Sequence, residues 1–292
     1  MKKILAVLTI QAAGLFSGAV CQAQHSIDVQ RLAAKGEYFQ ALVDFEKLPK
    51  RKASTEAVSA AARSAWGLGL SQRAIQEYDK VLLDEKLGTV ERSRIYLSRA
   101  VIEFQEDRFQ TAVLYSERSV GLLKESSPLR AKALLVWGNG LGEMGLHAAA
   151  EQKYLQALDE VEIEDKAELN YRVGIVQMRL GKIDEARSNF EKVPLHHDRT
   201  AESMRYLSQL ALESSNYKEA EFWLSKGRSE YPDSFLDSWV DYVLVRVAID
   251  ADDRDKVKNL MEEAKKKYPP SDDWLNLLQA AAEAYFWGSK VD

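Results

Sequence analysis

A short phrase recurs seven times along this chain and constrains its fold more than any other feature. A small or turn-forming residue is followed five positions later by Ala, and four positions after that by an aromatic or apolar side chain. Gly36 leads to Ala41 and Phe45, Gly69 to Ala74 and Tyr78, Gly145 to Ala150 and Tyr154, and Gly181 to Ala186 and Phe190. Asp107-Arg108-Phe109 leads to Ala112, Asn216-Tyr217 to Ala220 and Leu224, and Asp252, less well, to Val257, Met261 and Ala264. The anchors at 41, 74, 112, 150, 186, 220 and 257 are spaced by 33, 38, 38, 36, 34 and 37 residues. A period of this length marks a stacked array, in which each unit buries its apolar face against its neighbours.

The residues between anchors read as two helices per unit. Twelve residues before the anchor stands another small residue (Ala62, Ala100, Gly138, Gly174, Ser208), which lets paired helices approach closely while Trp137, Tyr154, Phe190 and Leu207 fill the space beside them. Gly69, Gly145 and Gly181 suit the left-handed position that ends a first helix. Pro49, Pro194, Pro232 and Pro269 stop the second helices. The pattern predicts first helices near 88–106, 128–144, 164–180 and 199–214, and second helices near 109–123, 147–160, 183–192 and 217–230. A last helix is expected to start at Ser271-Asp272-Asp273-Trp274, capped by Ser271, and to run to about Trp287. Its stripe of Trp274, Leu275, Leu278, Ala281 and Tyr285 would cover the end of the array. No strand pattern persists.

These motifs resemble the tetratricopeptide repeat, a helix–turn–helix unit with a period of about 34 residues. The fourth unit matches best, as Leu134-x2-Trp137-Gly138-x2-Leu141-x3-Gly145-x4-Ala150-x3-Tyr154-x2-Ala157. The sixth matches in Leu207, Ser208, Ala211, Ala220 and Pro232, and the resemblance covers about residues 26–270. It implies an all-α fold: an α-solenoid of about seven such units closed by a C-terminal capping helix.

The first 23 residues read differently. Met1-Lys2-Lys3 is basic, Ile4 to Val20 is largely apolar, and Ala23 offers a small residue for cleavage. This is the pattern of a secretory signal, so the expected organisation is a signal peptide over 1–23 and a repeat domain over 24–292. The expected location is the periplasm. The alternative is a lipid anchor on Cys21, which the branched Val20 before it disfavours. Cys21 is the chain's one cysteine, so no intrachain disulfide forms.

Catalytic and metal motifs are weak. Gly140-Leu141-Gly142-Glu143-Met144-Gly145 spells a dinucleotide fingerprint, but the repeat phase already explains Gly145, and no strand pattern precedes it. His196-His197-Asp198 reads as a solvated loop, His147 as a surface residue opening a second helix, and Glu160, Glu162, Glu164 and Asp165 as a solvated acidic loop. No metal site or cofactor is expected. The six Trp and twelve Tyr are expected mostly in core packing. The net charge of −5, made up of +2 over 1–23, +1 over 24–123 and −8 over 124–292, disfavours nucleic acid and anionic membranes as ligands.

What remains is binding. In the family that the repeats resemble, fixed positions of each first helix line a concave groove. Here those positions hold Arg94, Lys132, Asn139, Tyr171, Arg172, Arg205, Tyr206, Gln209, Trp239, Tyr242 and Arg246. Glu143, Glu168, Glu202, Glu213 and Asp250 interrupt them. The family's carboxylate clamp pairs Lys with Asn. Asn139 fits it, but Leu135 stands where the Lys would be. The expected function is a non-enzymatic envelope scaffold that holds an acidic or C-terminal segment of a partner protein in this groove. The alternatives are an enzyme or small-ligand receptor on the same framework, and Arg residues that only pair with the interspersed acids.

Overall fold

The computed structural model describes residues 25–49, 53–160 and 166–288. The expected signal segment, with Cys21, lies outside the described residues. The chain divides into two compact units, 1–163 and 164–292. Every long element among the described residues is an α-helix. The first unit holds α1 (25–34), α2 (Tyr38–Glu46), α3 (Thr55–Gly67), α4 (Ser71–Leu82), α5 (Thr89–Gln105), α6 (Phe109–Leu122), α7 (Pro128–Glu143) and α8 (His147–Leu158). The second holds α9 (Lys166–Arg179), α10 (Ile183–Glu191), α11 (Thr200–Glu213), α12 (Tyr217–Glu230), α13 (Ser238–Asp250), α14 (Arg254–Lys267) and α15 (Asp273–Gly288), with a 3₁₀ turn over Pro232–Phe235. The eight predicted helices match to within about two residues at each end.

Sequence neighbours pack as pairs: α3 on α4, α5 on α6, α7 on α8, α9 on α10 and α11 on α12. Successive pairs join through contacts such as α6 with α7, α5 with α7, and α12 with α13. The anchors explain the closeness. Ala41, Ala74, Ala112, Ala150, Ala186, Ala220 and Val257 are all 0% exposed. The small residues twelve positions earlier are buried as well, and an aromatic ring fills the space beside two of them. A β-carbon on Gly138 would collide with the Tyr154 ring, and one on Gly174 would lie 2.8 Å from the Phe190 ring. Between α5 and α6, Ser93 and Ser119 each donate to the other's carbonyl at 2.9 Å, which satisfies two hydroxyls where no larger side chain would fit.

The turn inside each pair has one geometry. A residue with positive φ stands five positions before every anchor: Gly36, Gly69, Asp107, Gly145, Gly181, Ser215 and Asp252. The following N–H bonds back to a carbonyl near the end of the first helix in all seven, as in Leu70 to Ala65 at 2.8 Å and Asn216 to Ala211 at 2.8 Å. This bond is the mark of a Schellman ending, which satisfies orphan carbonyls through one left-handed residue.

The ends of the array correct some details. Asp272, not Ser271, caps α15, accepting from the Leu275 N–H at 2.8 Å. The buried stripe of α15 is Leu275, Leu278 and Ala282, while Trp274 is 39% exposed. Pro49, Pro194, Pro232 and Pro269 each follow a second helix, as expected.

Candidate partner-binding site

In the second unit the predicted groove residues of two first helices converge. Along α11, Glu202, Arg205, Tyr206 and Gln209 fall three or four residues apart and so share one face. With Asp237, Ser238 and Trp239 at the start of α13, and Trp274 from α15, they line an open cleft of about 420 Å³. Asp237 is the N-cap of α13, and one of its oxygens accepts from the Val240 N–H. Its other oxygen pairs with Arg205 at 2.8 Å. Arg205 also donates to the Ser234 carbonyl at 2.9 Å and lies 4.5 Å above the Trp239 ring. A helix cap thus holds a guanidinium over an indole ring. Ser238 donates to Asp272 at 2.9 Å, which ties the start of α13 to the start of α15.

Other predicted residues support this wall. Tyr206 stacks on Phe190 with 5.1 Å between ring centres. Tyr242 lies 5.3 Å from Trp274, and its hydroxyl accepts from Arg246 at 3.1 Å. Burial works against the charge on Arg246, but bonds to Tyr242 and Tyr217 outweigh it and raise its pKa. Gln209 donates to Glu213 at 2.8 Å.

Tyr171 is not a groove residue in the sense expected. It is buried, packed against Phe190 and Tyr206, because α10 closes over it. Burial, joined by a hydrogen bond to Glu202, pushes its hydroxyl pKa far up. Arg172 donates to Glu168 at 2.7 Å, and Arg199 donates to the other oxygen of the same carboxylate at 2.8 Å. Burial tends to raise the Glu168 pKa, but the bonds and charge of Arg199 and Arg172 overcome it and hold the carboxyl below its ordinary value. Glu202 completes the chain, accepting from Arg199 at 3.0 Å.

The three groove residues predicted in the first unit do not share one cleft: Arg94 lines an open pocket of about 500 Å³ with Thr89, Val90 and the 122–129 segment, and neither Lys132 nor Asn139 lines it. Arg94 is exposed and paired with Glu91, Lys132 is exposed, and Asn139 accepts from the Tyr154 hydroxyl at 2.8 Å. Asn139 is thus held within its own repeat.

Sequence reasoning missed Asp237 and Trp274 as lining residues, since neither occupies a groove position of the motif. Of the six tryptophans, Trp66, Trp223 and Trp239 are half-buried and pack against the core as expected, Trp137 is half-buried, and Trp274 and Trp287 are exposed. Glu160 is not simply solvated, because it accepts from Arg130 at 2.7 Å and from the Ser127 N–H at 3.1 Å. Glu162, Glu164 and Asp165 lie outside the described residues. His147 is half-buried, with its Nδ1 unpartnered. Gly140 and Gly142 lie inside α7, so the glycine-rich phrase is helix and turn. Among the described residues no cluster of His, Cys, Asp and Glu could hold a metal, and no helix is long and apolar enough to cross a membrane.

Comparison with known proteins adds to this geometry. A tetratricopeptide repeat family model matches residues 171–235, the span from α9 to the 3₁₀ turn. Over that span the chain carries tetratricopeptide repeats. No curated protein matches it significantly. Among solved structures, the Pseudomonas aeruginosa pilF protein superposes with a TM-score of 0.58 at 16% identity, over 73% of this chain and 96% of that one. PilW, a widely conserved type IV pilus biogenesis factor, gives 0.58 at 13% identity, over 77% and 98%. YrrB, a TPR protein with an unusual peptide-binding site, gives 0.51 at 18% identity, over 62% and 88%. At these identities the likeness is one of fold: an all-helical tetratricopeptide repeat architecture.

Proposed function

We propose that this protein is a non-enzymatic interaction scaffold that holds an extended segment of a partner protein in the cleft between α11, α13 and α15. The observation that carries the reading is an open cleft lined by the exposed Trp274 together with Trp239 and the Arg205 that lies over its ring. Rigid aromatic rings give large contact area with little loss of side-chain freedom, and they dominate binding energy at protein interfaces. YrrB, which shares the fold, has a peptide-binding site, and the repeat family consists mostly of adaptors. Both support the reading.

The charge of the segment is revised by the geometry. Arg172 and Arg205 already pair with Glu168 and Asp237, and Glu202 joins Asp237 at the cleft. Recognition therefore rests on apolar side chains and main-chain groups of the partner rather than on a run of acids. The sequence of residues 1–23 supports export, and the proposed setting is the cell envelope, with a partner drawn from the same compartment.

A photo-crosslinking residue in place of Gln209 tests the site. The expected outcome is an adduct that maps to one extended segment of one envelope protein. A synthetic peptide of that segment should lose at least about tenfold in affinity to Trp239→Ala. Equal binding by Trp239→Ala and the unaltered chain would overturn the assignment. Charge reversal at Arg172 or Arg205 is a poorer test, since each new carboxylate would face an existing one.

A further inference from the structure

We propose that the outer face of α15 docks a second copy of this chain, with the two α15 helices antiparallel about a two-fold axis between Ala280 and Ala281. α15 packs on α13 and α14 through Leu275, Leu278 and Ala282, with Tyr285 and Phe286 partly buried beside them. Its opposite face is apolar too. Trp287 is 71% exposed, Leu277 49% and Trp274 39%, and Ala280 and Ala284 are exposed between them. At about 100° per residue, these five and Ala281 fall within an arc of about 140°. Asp273, the first residue of the helix, is the one charged residue of α15 on that arc. A helix that ends an array ordinarily turns a polar face outward, and an apolar patch in that place marks an interaction surface.

The spacing along this face selects the occupant. Trp274, Leu277, Ala280, Ala281, Ala284 and Trp287 stand three, three, one, three and three residues apart, so the series reads the same from either end. A face with that spacing is self-complementary under a two-fold axis, which is what a contact between identical surfaces requires. In an antiparallel pair, Leu277 lies against Ala284 of the second copy, a large side chain against a small one. Trp274 lies against Trp287 of the second copy. The central alanines let the two helix axes approach to about 8 Å.

Charge fixes the direction. Asp272 and Asp273 stand at the start of α15, and a parallel pair would bring the acids of both copies together. The antiparallel pair sets the two Asp273 residues about 22 Å apart, well beyond the screening length of about 8 Å, and opposes the two helix dipoles. One helix pair about 24 Å long covers less than the roughly 800 Å² per partner of a stable complex. The dimer is therefore weak and reversible, with a dissociation constant on the order of 100 μM. Leu277, Ala284 and Trp287 do not line the aromatic cleft, while Trp274 borders both surfaces.

Sedimentation velocity of the full chain, from about 5 to about 500 μM, is the first test. The expected result is a monomer at the low end and a reversible dimer at the high end. Leu277→Glu and Ala284→Glu each place a carboxylate in the apolar contact and should weaken dimerisation at least about tenfold, with thermal unfolding of the dilute protein unchanged. Cysteine linkage in a Cys21→Ser background tests the register. A mixture of the Leu277→Cys and Ala284→Cys variants should oxidise to a mixed disulfide faster than either variant links to itself, and Glu283→Cys, off the face, should not link. A monomer throughout the range overturns the proposal, as does a dimer that survives both glutamate variants. Self-linkage of Leu277→Cys as fast as the mixed linkage, or ready linkage of Glu283→Cys, overturns it too. Trp239→Ala, the variant that tests the partner-segment cleft, should leave the dimer unchanged, so the two readings fail separately.

Discussion

The Phe190 ring lies 2.8 Å from the point where a β-carbon on Gly174 would stand. Phe190 is 1% exposed and Gly174 is buried in α9, so neither has room to retreat. Gly174→Ala gains helix propensity of about 1 kcal/mol but overpacks the pair by about 1–3 kcal/mol. The expected net effect is a loss of stability, read as a lower midpoint in thermal unfolding. Adding Phe190→Leu should recover part of that loss, so the double variant is less destabilised than the two single effects combined. Strict additivity would mean that the two residues do not meet.

The left-handed turns give a prediction of opposite sign. Ser215 holds φ 56° without glycine's freedom, and Gly181 holds φ 74° at the equivalent place with open space beside it. Ser215→Gly should therefore stabilise by up to about 1 kcal/mol, and Gly181→Ala should destabilise by about 1–2 kcal/mol from backbone strain alone. Melting curves of the two variants should move in opposite directions. A Gly181→Ala variant as stable as the parent would contradict the turn geometry.

Ala150 is the most direct check of the repeat register. It is 0% exposed on α8, and Ala150→Arg would force a charge and a long side chain into a closed contact. The cost should be several kcal/mol, on the order of 3. Unchanged thermal unfolding would show the register to be wrong.

Acid should loosen the second unit through Glu168. Arg199 and Arg172 hold its carboxyl below the value it takes in the unfolded chain, about 4.3. Its contribution is therefore complete above that value and is lost as pH falls through the lower, folded value. Glu168→Gln should cost about 1–2 kcal/mol at neutral pH and give a shallower decline in stability below about pH 4.3. Melting temperatures across that range, for parent and variant, decide it. Parallel acid limbs would assign the decline to other carboxylates.

Helix boundaries, anchors and turns are legible in the sequence because each depends on a local period. A 3.6-residue repeat puts Arg205, Tyr206 and Gln209 on one face of α11, and the groove positions of the family that the repeats resemble add Trp239 of α13. The rest of the site depends on residues that the period does not relate. Tyr171 is buried by Phe190 of the next helix, and Arg205 is neutralised by a cap residue in a loop. Trp274 reaches the cleft from a helix outside the repeats.

The turn within each helix pair keeps one length in all seven units, five residues from the left-handed position to the anchor. The anchor spacing nevertheless varies from 33 to 38 residues. All of that variation falls outside the inner turn, in the helices and in the loop that leads to the next pair. Those loops are therefore the places where an epitope, a dye site or a split-reporter junction can be grafted without changing which side chains meet inside the array. A single residue added to the inner turn would rotate an entire helix out of phase.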